Sequence, residues 1–178
     1  MRCSLSHRPR AAVHAAWAAL LLSAGCGGSG VWRQGTYYGK HSDYRLGALN
    51  PDWQRVQVEP GNDLAWAHKS QPAVIQVNAS CDPALDIPLR ALTQHLSIGW
   101  THRLVVQQEE HMLDARAALW TELRARIDGV ERALLLVVLK KNGCVYDFAL
   151  AATPGPVFEA RRSDFVAMVR GFHTRGKK

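Results

Sequence analysis

The chain is short of long hydrophobic runs: in 178 residues only one apolar stretch, near the N-terminus, is able to engage a bilayer, which excludes a multi-pass membrane protein. It is also short of acids, with 15 Asp plus Glu against 22 Lys plus Arg and a net charge of +7. Its four cysteines form no CxxC pair. There is no nucleophile elbow, no phosphate-cradling glycine loop and no HExxH helix, all of which depend on fixed spacings. No internal repeat is visible, and 14 Gly with 8 Pro is ordinary globular usage, against collagen-like or wholly disordered chains. What remains is one globular domain with a real core and no motif for catalysis, cofactors or metal ions.

The basic charge is unevenly placed. Arg2, Arg8 and Arg10 precede the run AAVHAAWAALLL (residues 11–22), and Ser23-Ala24-Gly25-Cys26 follows. A charged start, a short apolar middle and small residues before a cut form an export signal. The run is too short to span a hydrocarbon core, which needs roughly 20 residues. Leu22, Ala24, Gly25 and Cys26 resemble the lipobox of bacterial lipoproteins, although Ser23 and His14 depart from its usual pattern. The resemblance implies a signal peptide at 1–25 and lipidation of Cys26, so that palmitate and related acyl chains hold the protein on a membrane. Gly27 after the cysteine implies, by the same resemblance, the outer membrane facing the periplasm. An ordinary cleaved signal with a free Cys26 is the alternative. Removing Arg2, Arg8 and Arg10, with no acid among them, takes the charge from +7 to +4. The excess that remains sits late, at Arg161, Arg162, Arg170, Arg175, Lys177 and Lys178 against Asp164 alone, and reads as a solvated helix face and a basic tail at 173–178. No recognition motif points to nucleic acid.

With Cys3 in the signal and Cys26 lipidated, Cys81 and Cys144 are left, and in an oxidising compartment they are expected to form a disulfide. A pair of buried thiols is the alternative.

Residues 26–43 are rich in Gly and polar residues without periodicity, as in a flexible tether. The single domain is expected at 44–172. Tyr44 to Leu46, Trp53 to Val58, Leu64 to His68 and Ala73 to Asn78 read as short strands separated by Asn50-Pro51-Asp52 and Pro60-Gly61-Asn62-Asp63 turns. Leu89, Leu92 and Leu96 mark one face of a helix, with Gly99 at its stop. Gln107 to Arg126 has high helix propensity, yet Leu119, Thr121, Leu123, Ala125 and Ile127 alternate. Asp128-Gly129 and Asn142-Gly143 are strong hairpin signals, and Ala133 to Leu139 is a strand buried on both faces. Arg116 to Ala152 is therefore a three-stranded antiparallel meander. Phe165, Met168, Val169 and Phe172 then recur at helical spacing, with Ser163 or an earlier residue as cap and Gly171 as stop. The fold class is α+β, with an antiparallel sheet of six to seven strands against helices that include a C-terminal one.

This order, with its Asp-Gly and Asn-Gly hairpins, its Tyr146-bearing strand and a closing helix near Gly171-Phe172, resembles the PsbP-like fold. That fold is shared by photosystem PsbP proteins and a Ran-binding nuclear factor. Neither relative's role is implied, because the residues behind ion retention and Ran binding have no match here. The chain also looks like uncharacterised lipoproteins of Gram-negative bacteria. These features imply a lipid-anchored envelope protein with a non-enzymatic binding or accessory domain and a protein partner.

Other chemistry is thinly supported. His95, His102 and His111 with Glu109 and Glu110 form the one cluster with metal or acid–base potential, but their spacing fits no single helix face, and they fall at a helix end and in a loop. Asp147 interrupts an apolar strand and should be paired or hold a raised pKa. The alternative function is a small-ligand carrier or enzyme with a cleft near Trp100, His102 and Asp147. It requires those three residues to converge in space.

Overall fold

The computed structural model describes residues 30–58 and 62–175, so the signal-like segment 1–25 and Cys26 lie outside the described residues. In chain order the elements are β1 (Val31–Arg33), β2 (Thr36–Tyr38), β3 (Asp43–Arg45), β4 (Trp53–Val56), β5 (Leu64–His68), β6 (Ala73–Ser80), a 3-10 turn (Pro83–Leu85), α1 (Leu89–Leu96), β7 (Thr101–Leu113), β8 (Arg116–Ile127), β9 (Val130–Lys141), β10 (Cys144–Ala152), α2 (Pro156–Arg170) and β11 (His173–Arg175). Seven strands form one antiparallel sheet in the order β4-β5-β6-β10-β9-β8-β7, and four short ones form a second in the order β1-β2-β3-β11. The α+β architecture read from the sequence is the one observed.

The turn chemistry works as expected. Asp128 and Gly129 have φ of 50° and 78°, and Asn142 and Gly143 have φ of 54° and 74°, so each pair supplies the two positive values that a two-residue hairpin needs. Between them β9 is buried on both faces. Leu135, Val137 and Leu139 join Phe148, Phe158, Phe165 and Met168 on the α2 side, whereas Leu134 and Leu136 join Leu123 and Ala125, and Val138 meets Leu92 of α1, on the other. Such a strand is apolar without alternation because neither side sees water.

Three parts of the fold differ from the expectation. The meander has four strands rather than three, because Thr101–Leu113 is β7, paired with β8 through a turn at Asp114 and Ala115 (φ 48° and 59°). That turn contains no glycine and so gave no hairpin signal. The segment expected as a tether includes the hairpin β1–β2. The expected basic tail begins instead as β11, whose Thr174 pairs with Tyr44 of β3. Helix α2 starts at Pro156 after Gly155, well before Ser163, whose hydroxyl donates within the helix to the carbonyl of Ala160.

Backbone contact locks the small sheet onto α2. The amide of Gly47 donates to the carbonyl of Met168 at 2.9 Å, and a Cβ built on Gly171 would lie 2.4 Å from the Cα of Gly47. Only glycine permits that approach. The late arginines are partly tied down: Arg161 lies 3.2 Å from Asp164 and 2.7 Å from the His68 ring, and Arg162 lies 3.3 Å from Glu122 across the sheet.

The β7–β8 turn is held by Asp114. Its carboxylate accepts from the Thr174 amide (2.8 Å) and hydroxyl (3.0 Å), pairs with Lys141 Nζ at 2.7 Å and meets His173 Nδ1 at 2.6 Å. Burial pushes its pKa up, but the bonds from Lys141, Thr174 and His173 outweigh that and hold it at about 2. Asp114→Ala is expected to cost about 2 to 3 kcal/mol in urea unfolding near neutral pH, since a charged acceptor shared by several donors is lost. A carboxyl with a depressed folded-state pKa stabilises above its unfolded value. The gap between wild type and variant should therefore close as pH falls from about 4 to about 2. A gap independent of pH would contradict this account.

Candidate interaction surface

The two helices cover unequal parts of the long sheet. Helix α2 and the small sheet lie over β6, β10 and β9 on one side, and α1 lies over β9 and β8 on the other. Strand β7 has only β8 as neighbour and is exposed along nearly its whole length. Its apolar residues stay in water: Leu104, Val105 and Val106 are each more than half exposed, Met112 is 72% exposed, and Ile98 in the α1–β7 connection is 73% exposed. Natural edge strands are commonly blunted with lysine or proline. β7 has neither.

Between α1 and the β7–β8 pair lies a groove of about 740 Å³, floored by Thr121 and Leu123 and walled by His95 and Ile98 on one side and Arg103 and Val105 on the other. Two contacts fix its shape. Arg103 Nη1 donates to the Ser97 hydroxyl at 3.0 Å, tying the start of β7 to the end of α1, and Gln108 Nε2 donates to the Thr121 hydroxyl at 2.9 Å. Gly99, at φ 85°, makes the reversal between helix and strand. The strand is bulged in two places, between Thr101 and Leu104 and between Val105 and Gln107, and it passes through a positive φ of 51° at His102. An apolar groove open beside an apolar edge can serve as a surface for contact.

The histidines and acids singled out from the sequence scatter over this region. His95 lies in the groove wall, His102 sits at the first bulge, and His111 pairs with Glu109 at 3.1 Å on exposed β7. A hydrogen bond from Gln107 outweighs desolvation and, with His111 adding to it, holds the Glu109 carboxyl below its usual range. All of these residues except His95 lie on β7 rather than in a loop. Among the described residues no group of three or more His, Cys, Asp or Glu is placed to hold a metal ion.

Trp100, His102 and Asp147 do not converge. Asp147 pairs with Val138, which pairs with Leu119, which pairs with Glu110 at the far half of β7. Thr101, next to Trp100, pairs with Arg126. The seven residue steps of β8 from Leu119 to Arg126 span about 23 Å at the usual strand rise. Trp100 instead packs against the cluster of Leu123, Ala125, Leu134 and Leu136, and His102 is exposed. A cleft built from these three residues is thus not formed.

Asp147 belongs to a polar chain that crosses the sheet. Asn78, opposite it on β6, donates to Asp147 Oδ1 at 3.3 Å and accepts from the Asp63 amide at 3.1 Å. Asp63 in turn accepts from the hydroxyls of Tyr37 (2.7 Å) and Tyr44 (3.0 Å) and from the Ala79 amide (2.9 Å), finishing the edge of β6 where β5 has ended. Burial pushes Asp147 up to about 7; the Asn78 bond opposes this and the Asp63 charge adds to it. Burial also raises Asp63, against the tyrosine and amide bonds, and pushes the Tyr44 hydroxyl well above its ordinary value. Asp63, Tyr37 and Tyr44 were not singled out by the sequence reading. The Asp63 position, just after a turn and before a strand, was the only available signal.

Cys81 and Cys144 are joined in a disulfide, and the pairing of neighbouring Ser80 with Val145 brings the two side by side.

A long antiparallel sheet with a C-terminal helix and a small accessory sheet on one face and a short helix on the other defines the PsbP-like class of folds. Three solved structures place the chain there. Cyanobacterial PsbP (CyanoP) from Synechocystis sp. PCC 6803 is 20% identical with a TM-score of 0.55, covering 74% of this chain and 86% of its own. LpqN, described as involved in cell envelope biogenesis of Mycobacterium tuberculosis, is 11% identical with a TM-score of 0.56, covering 78% and 88%. A protein of unknown function from Pseudomonas aeruginosa is 13% identical with a TM-score of 0.50, covering 80% and 97%. No protein-family model matches the chain, and no curated protein matches it in sequence. The fold is therefore shared with chains that are 20% identical or less.

Proposed function

We propose that the protein is a lipid-anchored cell-envelope protein whose PsbP-like domain is a non-enzymatic binding or accessory module supporting an envelope complex. The observation that carries this is the uncovered end of the long sheet, where the α1–β7 groove and the apolar edge of β7 face water together. An isolated exposed Leu would mean nothing, but a contiguous set beside a groove marks a contact site. The likeness in fold to an envelope-biogenesis protein supports the compartment. No helix among the described residues is long and apolar enough to cross a membrane. In this proposal the lipid at Cys26 supplies the attachment. Gly27 after that cysteine favours the outer membrane, facing the periplasm.

Two measurements test the proposal. Cys26→Ala should release the full chain from membranes and abolish palmitate labelling; persistent labelling would overturn the anchor. A photoreactive residue placed at Ile98 or Met112 in cells should give a discrete crosslinked product, with none from exposed Lys69 on the far side of the sheet. Equal labelling at all three positions would remove the contact surface from the account.

A further inference from the structure

We propose that the α1–β7 groove binds a single-chain anionic amphiphile, an acyl or alkyl chain ending in a carboxylate or phosphate. This deepens the binding role proposed above and rests on it, naming the ligand of the groove and leaving the occupant of the β7 edge aside.

The class of ligand follows from which groups of the groove are already bonded. The Thr93 hydroxyl donates to the Leu89 carbonyl at 3.0 Å, the Ser97 hydroxyl donates to the Gln94 carbonyl at 2.9 Å, and Gln108 donates to Thr121. A sugar or a peptide backbone entering the groove would find these polar groups taken, and polar groups buried without partners cost free energy. What is left to a ligand is apolar surface and charge. The apolar part is Leu123 on the floor with Ile98 and Val105 on the walls. Its volume, about 740 Å³, lies within the range of small-molecule sites, roughly 300 to 1,000 Å³.

The charge has one sign. Arg90 and Arg103 line the groove, and no carboxylate does. Glu110, two residues beyond Gln108 on the same face of β7, is outside the lining. Arg103 bonds only to Ser97, and Arg90 makes no side-chain bond among the described residues. Both guanidinium groups therefore keep donors for an incoming anion. Their planar forks match a carboxylate or a phosphate, whereas a cationic head would be repelled. Apolar walls beneath unpaired arginines fit a chain with an anionic end.

The full chain in phosphatidylcholine nanodiscs should be labelled saturably by dodecyl phosphate carrying a diazirine at the end of its chain, in peptides containing Ile98, Val105 or Leu123. Unlabelled dodecyl phosphate should compete. Dodecyltrimethylammonium, with the same chain and the opposite charge, and hexaglutamate, with the same charge and no chain, should not. Arg90→Glu and Val105→Glu, both at exposed positions, should each raise the concentration for half-maximal labelling by about tenfold or more. Arg45→Glu, on the small sheet, should leave it unchanged. Labelling spread over the whole surface, or unaltered by Arg90→Glu, would overturn the proposal. Competition by hexaglutamate as strong as that by dodecyl phosphate would also refute it, in favour of an acidic protein segment. Met112 lies outside the groove lining and reports on the protein contact separately. A crosslinked partner at Met112 without groove labelling would remove the amphiphile and leave the contact surface standing. No product in either assay would defeat both.

Discussion

Replacing Cys81 and Cys144 together by Ala is expected to lower stability by about 4 kcal/mol, the entropy released when a cross-link between residues 63 apart is removed from the unfolded chain. The bridge joins the end of β6 to the start of β10, the central pair of the long sheet, and the 3-10 turn leading to α1 leaves from the same point. A fall in midpoint temperature on the order of 10 °C should follow. Reductant should produce the same fall in the wild type and none in the variant, as read by circular dichroism. A change below about 1 kcal/mol would mean that β6 and β10 hold each other without the bond, and would falsify the loop-entropy account.

A second large effect is expected at Asp147, with the opposite sign. Its folded-state pKa, about 7, lies above the ordinary carboxylate value of about 4, so the folded protein holds this proton more tightly than the unfolded chain does. Stability is then fully present below about pH 4, declines as pH rises through about 7, and levels off above it. Asp147→Asn keeps a side chain able to bond with Asn78 but removes the ionisation. It should stabilise the protein by roughly 2 to 4 kcal/mol in urea unfolding at about pH 8 and give no gain below about pH 4. Equal effects at both ends of the range would show that shape, and not charge, governs the site. Asp63 enters through its charge: once ionised beyond Asn78 it raises the Asp147 pKa a little further.

These two residues also show how far the sequence can be read. Asp147 stood out because it breaks an apolar strand, and a carboxyl in such a place has few physical options. Its raised pKa was legible. Its partner was not, because Asn78 lies 69 residues away and only the β6–β10 register sets them opposite each other. The disulfide was legible by elimination, since two cysteines remained once the signal and the lipobox were set aside.

The strands divide in the same way. β8, β9 and β10 were visible because Asp-Gly and Asn-Gly turns admit positive φ cheaply and because burial writes itself into side-chain pattern. β7 was missed because an edge strand exposed on both faces has no buried side to alternate with, and its turn uses Asp114 and Ala115. β1 and β2 were missed for a related reason: three-residue strands in a glycine-rich segment are too short to show a period, and they exist because Tyr37 packs on Tyr44 at 5.0 Å. The alternative cleft failed because no local pattern relates Asp147 to Trp100 and His102, and the register separates them by most of the length of β8.

The sequence by itself determined the elements whose cause is local: the two glycine hairpins, the doubly buried strand, the terminal helix and hence the α+β class. The tertiary structure alone decided which edge of the sheet is left open, which acid pairs with which amide, and that an apolar groove runs beside β7. Those properties depend on strand order and register, and order and register arise from contacts between residues tens of positions apart, which no local pattern encodes.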